Sequence, residues 1–412
     1  MRIIATSPIL VKCCVKINKL RFLNVCMTKE QEFILQLVRN AVCPSAQIAI
    51  STDDIDWRKV MDFAMEQGVL GVAFEAVERL KAPSASSEHS LLSNLPMEVL
   101  IKWFVTVEYW KNLYKEHKKA VAELAEFYTG CCISSKEGIE GGIKMMLMKG
   151  YGLSLYWPIP EHRPVGDIDI YNFGLWQFAD QMVEQRLGIN VDEGHEHHTC
   201  FTYKGVLVEN HYDFVNTKVN ESSRELERLY KELANKDCRE LKVGAEGTES
   251  TIYLPSATLN AIFLIRHLGQ HFAGAEATLR QVLDWGFFMQ HEAMRVDWDM
   301  VIPAMKRAGI YQFFVHVNEI CLNYLGFEVF DIPEEYRGKV DKVLEVRILE
   351  DMLQPEFADN KPIGNTMQVV WFKLRRFFAN RWKRKLVFRE SICNQMWYGS
   401  IAHLKRFNTI KD

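Results

Sequence analysis

The sequence predicts an α+β (mixed α/β) fold, with a small sheet core between helical N- and C-terminal regions. Residues 143–147 are a short apolar run followed by Lys149-Gly150, a pattern typical of a buried strand. Residues 167–170, Asp-Ile-Asp-Ile, alternate with a period of two, which predicts a second strand with one apolar face. In the flanking sequence, apolar residues recur at spacings of three and four, which predicts amphipathic helices.

The composition is typical of a soluble globular protein. The chain has 412 residues, of which 48% are hydrophobic and 25% charged, and this length predicts two or three domains. The net charge of −3 argues against a dedicated nucleic-acid binder. Ten cysteines without a Cys-x-x-Cys pair are typical of reduced thiols, so we expect a cytoplasmic protein. No run reaches the roughly 18 apolar residues of a transmembrane helix.

Shifts in composition divide the chain into five segments. These are an N-terminal extension (1–26), an N-terminal helical region (27–130), an α/β core (131–216), a connecting helix and loop (217–250) and a C-terminal helical region with a basic tail (251–412). The extension is basic, apolar and free of acids. It is interpreted either as a segment outside the native fold or as a helix on a membrane surface.

The N-terminal region is predicted to be helical. Thr28 and Gln31 have the spacing of a capping box at the start of the first helix. Residues 53–80 have the spacing of two further helices, and residues 81–93 form a polar linker. A long helix is predicted over residues 96–128.

Within the core, a helix and a hairpin follow the Asp-Ile-Asp-Ile strand. Residues 175–187 have helical spacing, and Gly188 is placed to end that helix. Residues 201–203 and 206–209 flank Lys204-Gly205, which predicts a β-hairpin. The order strand, helix, strand, helix, hairpin describes a small α/β unit.

Three acids in this unit predict a site for a divalent cation. Asp167 and Asp169 point to the same face of their strand, roughly 6.5–7 Å apart. Two carboxylates on one face are costly unless a cation lies between them. Glu209 shares a face of the second hairpin arm with Leu207 and His211, so it can complete such a site. Hard divalent cations prefer carboxylate oxygens.

The C-terminal half has no further strand in its predicted pattern. Residues 217–247 are charged and predict an exposed helix and loop, and residues 244–250 a turn. From Pro255 onward the pattern is helical. The basic residues 373–389 could bind RNA, DNA or an anionic membrane. They could equally form a solvated face over a packed aromatic stripe of Trp371, Phe372, Phe378, Trp382 and Phe388.

Two groups of histidines are further candidates. Residues 194–198 (Gly-His-Glu-His-His) have metal-ligand chemistry but no spaced second ligand pair, so a solvated loop is favoured. His267 and His271 are four residues apart on one helix face, without the glutamate of the zinc-protease motif. Contacts between helices are favoured for this pair over contact with a substrate.

Four short motifs in order carry a family resemblance. They are Met148-Lys149-Gly150, Tyr156-Trp157-Pro158, Arg163-Pro164-Val165-Gly166-Asp167-Ile168-Asp169 and Val208-Glu209-Asn210-His211. The helical part adds Leu254-Pro255, Leu264, His267, His271 and Leu283-Asp284-Trp285. On these motifs the chain resembles the bacterial uncharacterised nucleotidyltransferase family, with the DNA polymerase β-like fold. The resemblance covers about residues 140–290 and only loosely the flanks.

Two features depart from the superfamily pattern. The first strand of the superfamily ends in Gly-Gly or Gly-Ser, whereas this chain has Gly150-Tyr151. The distance from Gly150 to Asp167 is also longer than in most of the superfamily, although this family resembles the chain in that. Both departures concern the phosphate contacts more than the metal site.

The resemblance implies transfer of a nucleotidyl group from a nucleoside triphosphate, with ATP-binding among the implied properties, to a hydroxyl of an acceptor. The cofactor would be Mg²⁺ or Mn²⁺, which clamps the attacking and leaving oxygens. The catalytic and metal-binding residues would be Asp167, Asp169 and Glu209. The phosphate-binding residues would be Lys149, Gly150 and Arg163, although Arg163 could instead pair with an acid. Around them would lie His211, His267, His271 and Asp284.

Two other functions fit the same sequence. The fold could serve as a catalytically inactive nucleotide-binding or regulatory module, which the Gly150-Tyr151 departure motivates. The basic C-terminal segment could instead bind nucleic acid. The sequence does not indicate the acceptor, which could be a small molecule, RNA or a protein, or the oligomeric state.

Overall fold

The computed structural model describes residues 27–81, 92, 94–131, 141–218, 220–244, 249–274, 277–356 and 366–395. The predicted extension 1–26 and most of the predicted polar linker lie outside the described residues.

Four helices form the N-terminal region, as predicted. They are α1 (Lys29–Val42), α2 (Trp57–Glu66), α3 (Leu70–Lys81) and α4 (Met97–Thr129). The predicted capping box is confirmed, because the Thr28 side chain accepts from the Gln31 backbone and the Gln31 side chain accepts from the Thr28 backbone. This reciprocal pair satisfies two backbone donors that a helix start leaves free.

The core alternates short strands and helices. Its elements are β1 (Met146–Leu147), α5 (Tyr151–Ser154), β2 (Ile168–Tyr171), α6 (Trp176–Met182), β3 (His198–Tyr203) and β4 (Val206–His211). A π-helical turn, Val183–Leu187, continues α6 and ends at Gly188, whose φ is +67°. The predicted hairpin is confirmed: β3 and β4 pair in antiparallel fashion around Lys204 and Gly205.

The described strands form one six-stranded mixed sheet in the order β3-β4-β2-β1-β6-β5. After α7 (Glu221–Lys236), the chain forms β5 (Cys238–Val243) and β6 (Ser250–Pro255). The prediction of a loop over this stretch was wrong. The apolar alternation that predicts a strand is weak here, because β5 is an edge strand with Glu240 and Lys242 exposed to solvent. β6 pairs with β1 in parallel, so the sheet extends beyond residue 216.

The rest of the described chain is helical, as predicted. The helices are α8 (Ala257–Gly274), α9 (Leu279–Glu292), α10 (Trp298–Ala308), α11 (Tyr311–Tyr324), α12 (Lys342–Leu353), α13 (Thr366–Ala379) and α14 (Arg381–Val387). None of the helices in the described residues is long and apolar enough to cross a membrane.

The sheet lies between two hydrophobic cores. Ile168, Ile170 and Val208 point to one core, which they share with α4 and α6. Met146 and Tyr171 point to the other core, which joins the N-terminal helices to α8, α9 and α11. Because side chains alternate along a strand, the acids of β2 and β4 lie on this second face. The sheet therefore presents its acids toward the helical region.

The basic segment divides the predicted aromatic stripe into two parts. Trp382 packs against Phe272, with ring centroids 5.5 Å apart, and Phe388 lies 4.5 Å from the guanidinium of Arg266. Trp371 and Phe378 are 64% and 48% exposed. The packed interpretation therefore holds for α14 and its C-terminal neighbour but not for these residues of α13.

Lys383 of α14 is the most buried cation of this segment. Its side chain is 1% exposed, and its Nζ lies 2.6 Å from a carboxylate oxygen of Asp351 on α12. The ammonium also lies 5.2 Å from the ring centroid of Phe272. This cation is therefore part of the packing between helices and is withdrawn from any external anion.

Candidate active site

The site forms where β2 and β4 run side by side. The two strands are parallel, and their register sets Asp169 directly opposite Glu209. Asp167 lies one residue before β2 and shares its face with Asp169 because of the period-two alternation. Ligand atoms of Asp169, Glu209 and His211 lie within 4.8 Å of one another. The structure thus brings the three predicted acids to one face of the sheet.

Lys149 enters this group from the end of β1. Its Nζ lies 2.6 Å from Oδ1 of Asp169, which is 2% exposed. Burial opposes the charge of Asp169, but Lys149 and then His211 hold the pKa of this carboxyl well below its usual range. Burial likewise opposes the charge of Lys149, and Asp169 and Asp167 outweigh it and raise the lysine pKa. Both partners are therefore charged at neutral pH.

His211 connects the two facing acids. Its Nε2 lies 3.1 Å from Asp169 Oδ1 and 3.3 Å from Glu209 Oε2, and its Nδ1 lies 3.3 Å from the carbonyl oxygen of Asp213. Burial disfavours a charged imidazole, yet the hydrogen bonds to Asp169 and Glu209 raise the pKa of His211. The imidazole therefore orients both carboxylates, and its role in a functional site stays a prediction.

Asp167 carries the electrostatic strain of the site. Burial and then the charge of Asp169 raise the pKa of Asp167 above its usual value. The backbone at this position is held by His117 of α4, whose Nε2 donates to the carbonyl oxygen of Asp167 at 3.3 Å. Sequence analysis did not predict His117, because it contacts backbone from a distant helix and has no motif.

Gly150 makes the turn between β1 and α5. Its φ is +56°, a conformation that glycine adopts without steric cost. An added Cβ would lie 3.5 Å from both the carbonyl oxygen of Asp167 and the His117 ring. The positive φ therefore explains why glycine occupies this turn, and the contact of Gly150 with phosphate stays a prediction.

Arg163 is paired with Asp284 of α9. Its Nε donates to Oδ1 at 2.7 Å and its Nη2 to Oδ2 at 2.9 Å, and Trp157 Nε1 donates to Oδ1 at 2.9 Å. The Arg163 side chain is 3% exposed. This bidentate pair ties the loop between β1 and β2 to α9, and phosphate binding by Arg163 stays a prediction.

His267 and His271 of α8 approach the site from the helical region and lie near Lys149. Their ring centroids are 4.6 Å apart. Burial, then the positive charge of Lys149, lowers the pKa of both, and that of His271 falls to about 4. His271 is exposed to solvent and His267 is half-buried. Both histidines therefore lie on the part of α8 that is near Lys149.

Arg280 of α9 is, after Lys149, a second cation near the acids. Burial and the charge of Arg163 lower its pKa, whereas Asp284, Asp167 and Asp169 raise it. Among the described residues its guanidinium forms no ion pair, and a Cβ at Gly68 would lie 3.0 Å from Arg280 Cβ. Sequence analysis missed Arg280, although it precedes Asp284 by four residues and so shares its helix face.

The histidines 195–198 do not all lie in a solvated loop. His198 is the first residue of β3 and is 8% exposed. Its Nε2 lies 3.7 Å from Glu209 Oε1. The favoured loop interpretation was wrong for His198, because β3 begins three residues before the apolar pattern at Phe201 and register, not composition, carries the strand to that point.

The donor set fits a hard divalent cation. Three carboxylates converge, and burial and then the charge of Asp169 raise the pKa of Asp167. A divalent ion relieves such repulsion and takes oxygen ligands. Lys149 and Arg280 remain as cations that can contact a phosphate chain. The arrangement can therefore hold a metal ion and an anionic ligand side by side.

Comparison with known proteins identifies one match. Residues 53–326 match the family described as uncharacterised nucleotidyltransferase, and this range covers the sheet and the helices α2 to α11. No curated protein and no solved structure matches the chain.

Proposed function

Because the chain belongs to the uncharacterised nucleotidyltransferase family, we propose that it transfers a nucleotidyl group from a nucleoside triphosphate to an acceptor hydroxyl, with Mg²⁺ or Mn²⁺ as cofactor. We also propose that its sheet is a DNA polymerase β-like core. The observation that carries the proposal is the cross-strand pair Asp169–Glu209, with Asp167 on the same face and Lys149 at 2.6 Å from Asp169.

The three acids are the proposed metal ligands. Asp167, Asp169 and Glu209 supply carboxylate oxygens, and His211 holds two of them in orientation through hydrogen bonds of 3.1 and 3.3 Å. When bound, the ions polarise the phosphoryl oxygen and stabilise the attacking and leaving oxygens. Glu209 is the more exposed of the facing pair, at 19% against 2% for Asp169. In this proposal Glu209 is the acid that faces the acceptor.

The two cations near the acids, Lys149 and Arg280, are the proposed triphosphate contacts. Lys149 is 17% exposed in spite of its pair with Asp169, so its ammonium can also reach a phosphate oxygen. Arg280 forms no ion pair within the described part of the chain. A guanidinium binds phosphate oxygens in bidentate fashion, and here its charge lies within reach of Asp167 and Asp169.

The test is a metal-dependent thermal shift with each of the four nucleoside triphosphates. We expect one nucleotide to raise the melting temperature in the presence of Mg²⁺ or Mn²⁺, because a ligand that binds only the folded state stabilises it. The rise should vanish in the Asp167→Ala/Asp169→Ala variant. Asp351→Asn is the matched control, since it removes another carboxylate that pairs with a buried lysine.

The other outcomes separate the competing functions. A nucleotide shift that does not depend on metal, or that persists in the double variant, contradicts the proposal and favours a regulatory module. No shift with any nucleotide, together with salt-sensitive binding of nucleic acid that is lost on truncation before Trp371, favours the basic segment. If Asp169→Asn retains full nucleotide transfer, the metal mechanism is wrong.

A further inference from the structure

A second cluster of ligating side chains lies on the edge strand of the sheet, outside the three acids. Its members are His195, His198 and Cys200, named here the edge-strand triad. The ligand atoms of the three residues lie within 4.8 Å of one another. The rings of His195 and His198 are stacked, with centroids 4.6 Å apart. Nothing in the proposed nucleotidyl transfer uses His195 or Cys200.

The sheet register places the triad. β3 pairs with β4 so that His198 faces His211 and Cys200 faces Glu209. His198 and Cys200 are two residues apart and therefore share one face of β3. Cys200, Glu209 and Asp169 thus form one cross-strand row, in which the thiol lies one strand away from the nearest carboxylate of the candidate active site.

A backbone bridge closes the loop that carries His195. Asp192 N donates to the carbonyl oxygen of Cys200 at 2.7 Å, and Cys200 N donates to that of Asp192 at 2.9 Å. The residues between them must therefore fold back over β3. This closure brings His195, which is 40% exposed, against the ring of the buried His198.

His198 has a buried nitrogen without a partner. The residue is 8% exposed, and its Nδ1 forms no hydrogen bond within the described residues. Its other nitrogen, Nε2, lies 3.7 Å from Glu209 Oε1. An unsatisfied buried polar atom is costly and calls for an unseen partner such as an ion.

We propose that the edge-strand triad binds a divalent transition-metal ion of the Zn²⁺ class, at a site separate from the three acids. Two imidazoles and a thiolate are the ligands that Zn²⁺ and Co²⁺ prefer, whereas Mg²⁺ prefers oxygen. Cys200 would bind as thiolate, and its proton passes to solvent. The exposed side of His195 leaves the fourth position open to water.

The second ring nitrogen of His198 connects the two sites. A metal on Nδ1 leaves Nε2 turned toward Glu209, which is the carboxylate–histidine–metal arrangement common in metalloproteins. The ion would hold the loop 192–198 on β3 and fix the orientation of Glu209. His198 is therefore a positioning residue for Glu209 in this proposal.

The test is a Co²⁺ titration of the full-length protein after removal of metals by a chelator. A cobalt–thiolate bond gives a charge-transfer absorption in the near ultraviolet, which oxygen-only ligation does not give. We expect this absorption to saturate at one Co²⁺ per chain and to be displaced by Zn²⁺. Cys200→Ser should abolish it. His195→Gln should weaken Co²⁺ binding by at least about 10–100-fold, because loss of a group that only supports a metal ligand already costs this much and His195 is a proposed ligand.

Two controls make the result specific. Cys238→Ser removes a half-buried cysteine on β5, at the opposite edge of the sheet, and should leave the absorption unchanged. The Asp167→Ala/Asp169→Ala variant should also keep it, whether or not nucleotide binding is lost. Absence of the absorption in the unmodified protein, its persistence in Cys200→Ser, or its loss in the double aspartate variant would each overturn the proposal. His195 is exposed, so His195→Gln tests the site even if Cys200→Ser fails to fold.

Discussion

Two buried lysine–aspartate pairs of equal length lie in different halves of the molecule. Lys149 and Asp169 are 2.6 Å apart in the sheet, and Lys383 and Asp351 are 2.6 Å apart between α14 and α12. Their exposure is reversed. In the sheet pair the acid is 2% and the lysine 17% exposed, whereas in the helical pair the lysine is 1% and the acid 14% exposed.

The surroundings of the two pairs differ even more. The sheet pair lies among Asp167, Glu209 and His211, so several charges share one space. The helical pair has Phe272 over its ammonium and Arg347 near its acid. We therefore expect the isolated helical pair to serve packing, and the sheet pair, which lies among several charges, to serve the proposed binding of metal and nucleotide. The surrounding residues, and not the length of the ion pair, distinguish the two pairs.

The largest expected effect is on stability and falls on the helical pair. Asp351→Asn leaves the ammonium of Lys383 buried without its counter-ion, so we expect the free energy of unfolding to fall by about 3 kcal/mol. Asp169→Asn should also lower the free energy of unfolding, because the lowered pKa of Asp169 means that its charged form stabilises the fold, but by less than Asp351→Asn, because Asp167 and Glu209 remain near the ammonium of Lys149. Urea unfolding of both variants measures the difference. Equal losses would show that the two pairs have the same role.

The next effect is on ligand affinity and falls on the sheet pair. We expect Lys149→Met to weaken metal–nucleotide binding about tenfold, since a hydrogen bond to a charged group contributes about 1.5–3 kcal/mol. Lys383→Met should leave the affinity for metal and nucleotide unchanged, because the ammonium of Lys383 is buried between α14 and α12. Isothermal titration at constant ionic strength compares the two. A matching loss of affinity in Lys383→Met would contradict the distinction.

A smaller effect is expected at Arg280. This arginine lies near the acids of the sheet pair and forms no ion pair within the described residues. Arg280→Gln should weaken nucleotide binding about fivefold, or about 1 kcal/mol, because it removes the proposed contact of one guanidinium with a phosphate oxygen. Stability should hardly change. Arg295→Gln, three residues after the end of α9 and at 64% exposure, is the control. Loss of stability in place of affinity would assign Arg280 to packing.

The smallest effect concerns the order of protonation. Burial raises the pKa of Asp351 although Lys383 opposes the shift, whereas the pKa of Asp169 is lowered. In metal-free protein, acidification should therefore protonate Asp351 first. The stability that Asp169 contributes is present above the usual aspartate pKa of 3.8 and is lost as pH falls through its folded value. Carboxyl NMR with Asp351→Asn and Asp169→Asn to assign the signals measures the order, and the reverse order contradicts it.

Local patterns were enough to predict that the three acids share one face of the sheet. Asp167, Asp169 and Glu209 follow from period-two alternation and a hairpin turn, both of which depend on neighbouring residues only. The strand pairing that sets Asp169 opposite Glu209 is not local. Nor is the edge strand β5, whose exposed face carries charged residues and so lacks an alternating apolar signal.

Residues that reach the site from distant elements could not be predicted. Arg280 comes from α9 and His117 from α4, and neither belongs to a motif. The sequence left open whether Arg163 binds phosphate or pairs with an acid, and it did not identify Asp284 as the partner, because the two residues are 121 positions apart. A buried pair of this kind depends on how α9 packs against the sheet, which no short spacing encodes.

The buried ion pair between Arg163 and Asp284 also constrains how the two halves of this protein can evolve. The guanidinium is 3% exposed and its two hydrogen bonds to Asp284 cross from the sheet half to the helical half. If recombination replaced the helical half with an unrelated one, Arg163 would lose its carboxylate in a buried place. The two halves should therefore descend together as one evolutionary unit, and the matched family indeed spans both sides of this ion pair.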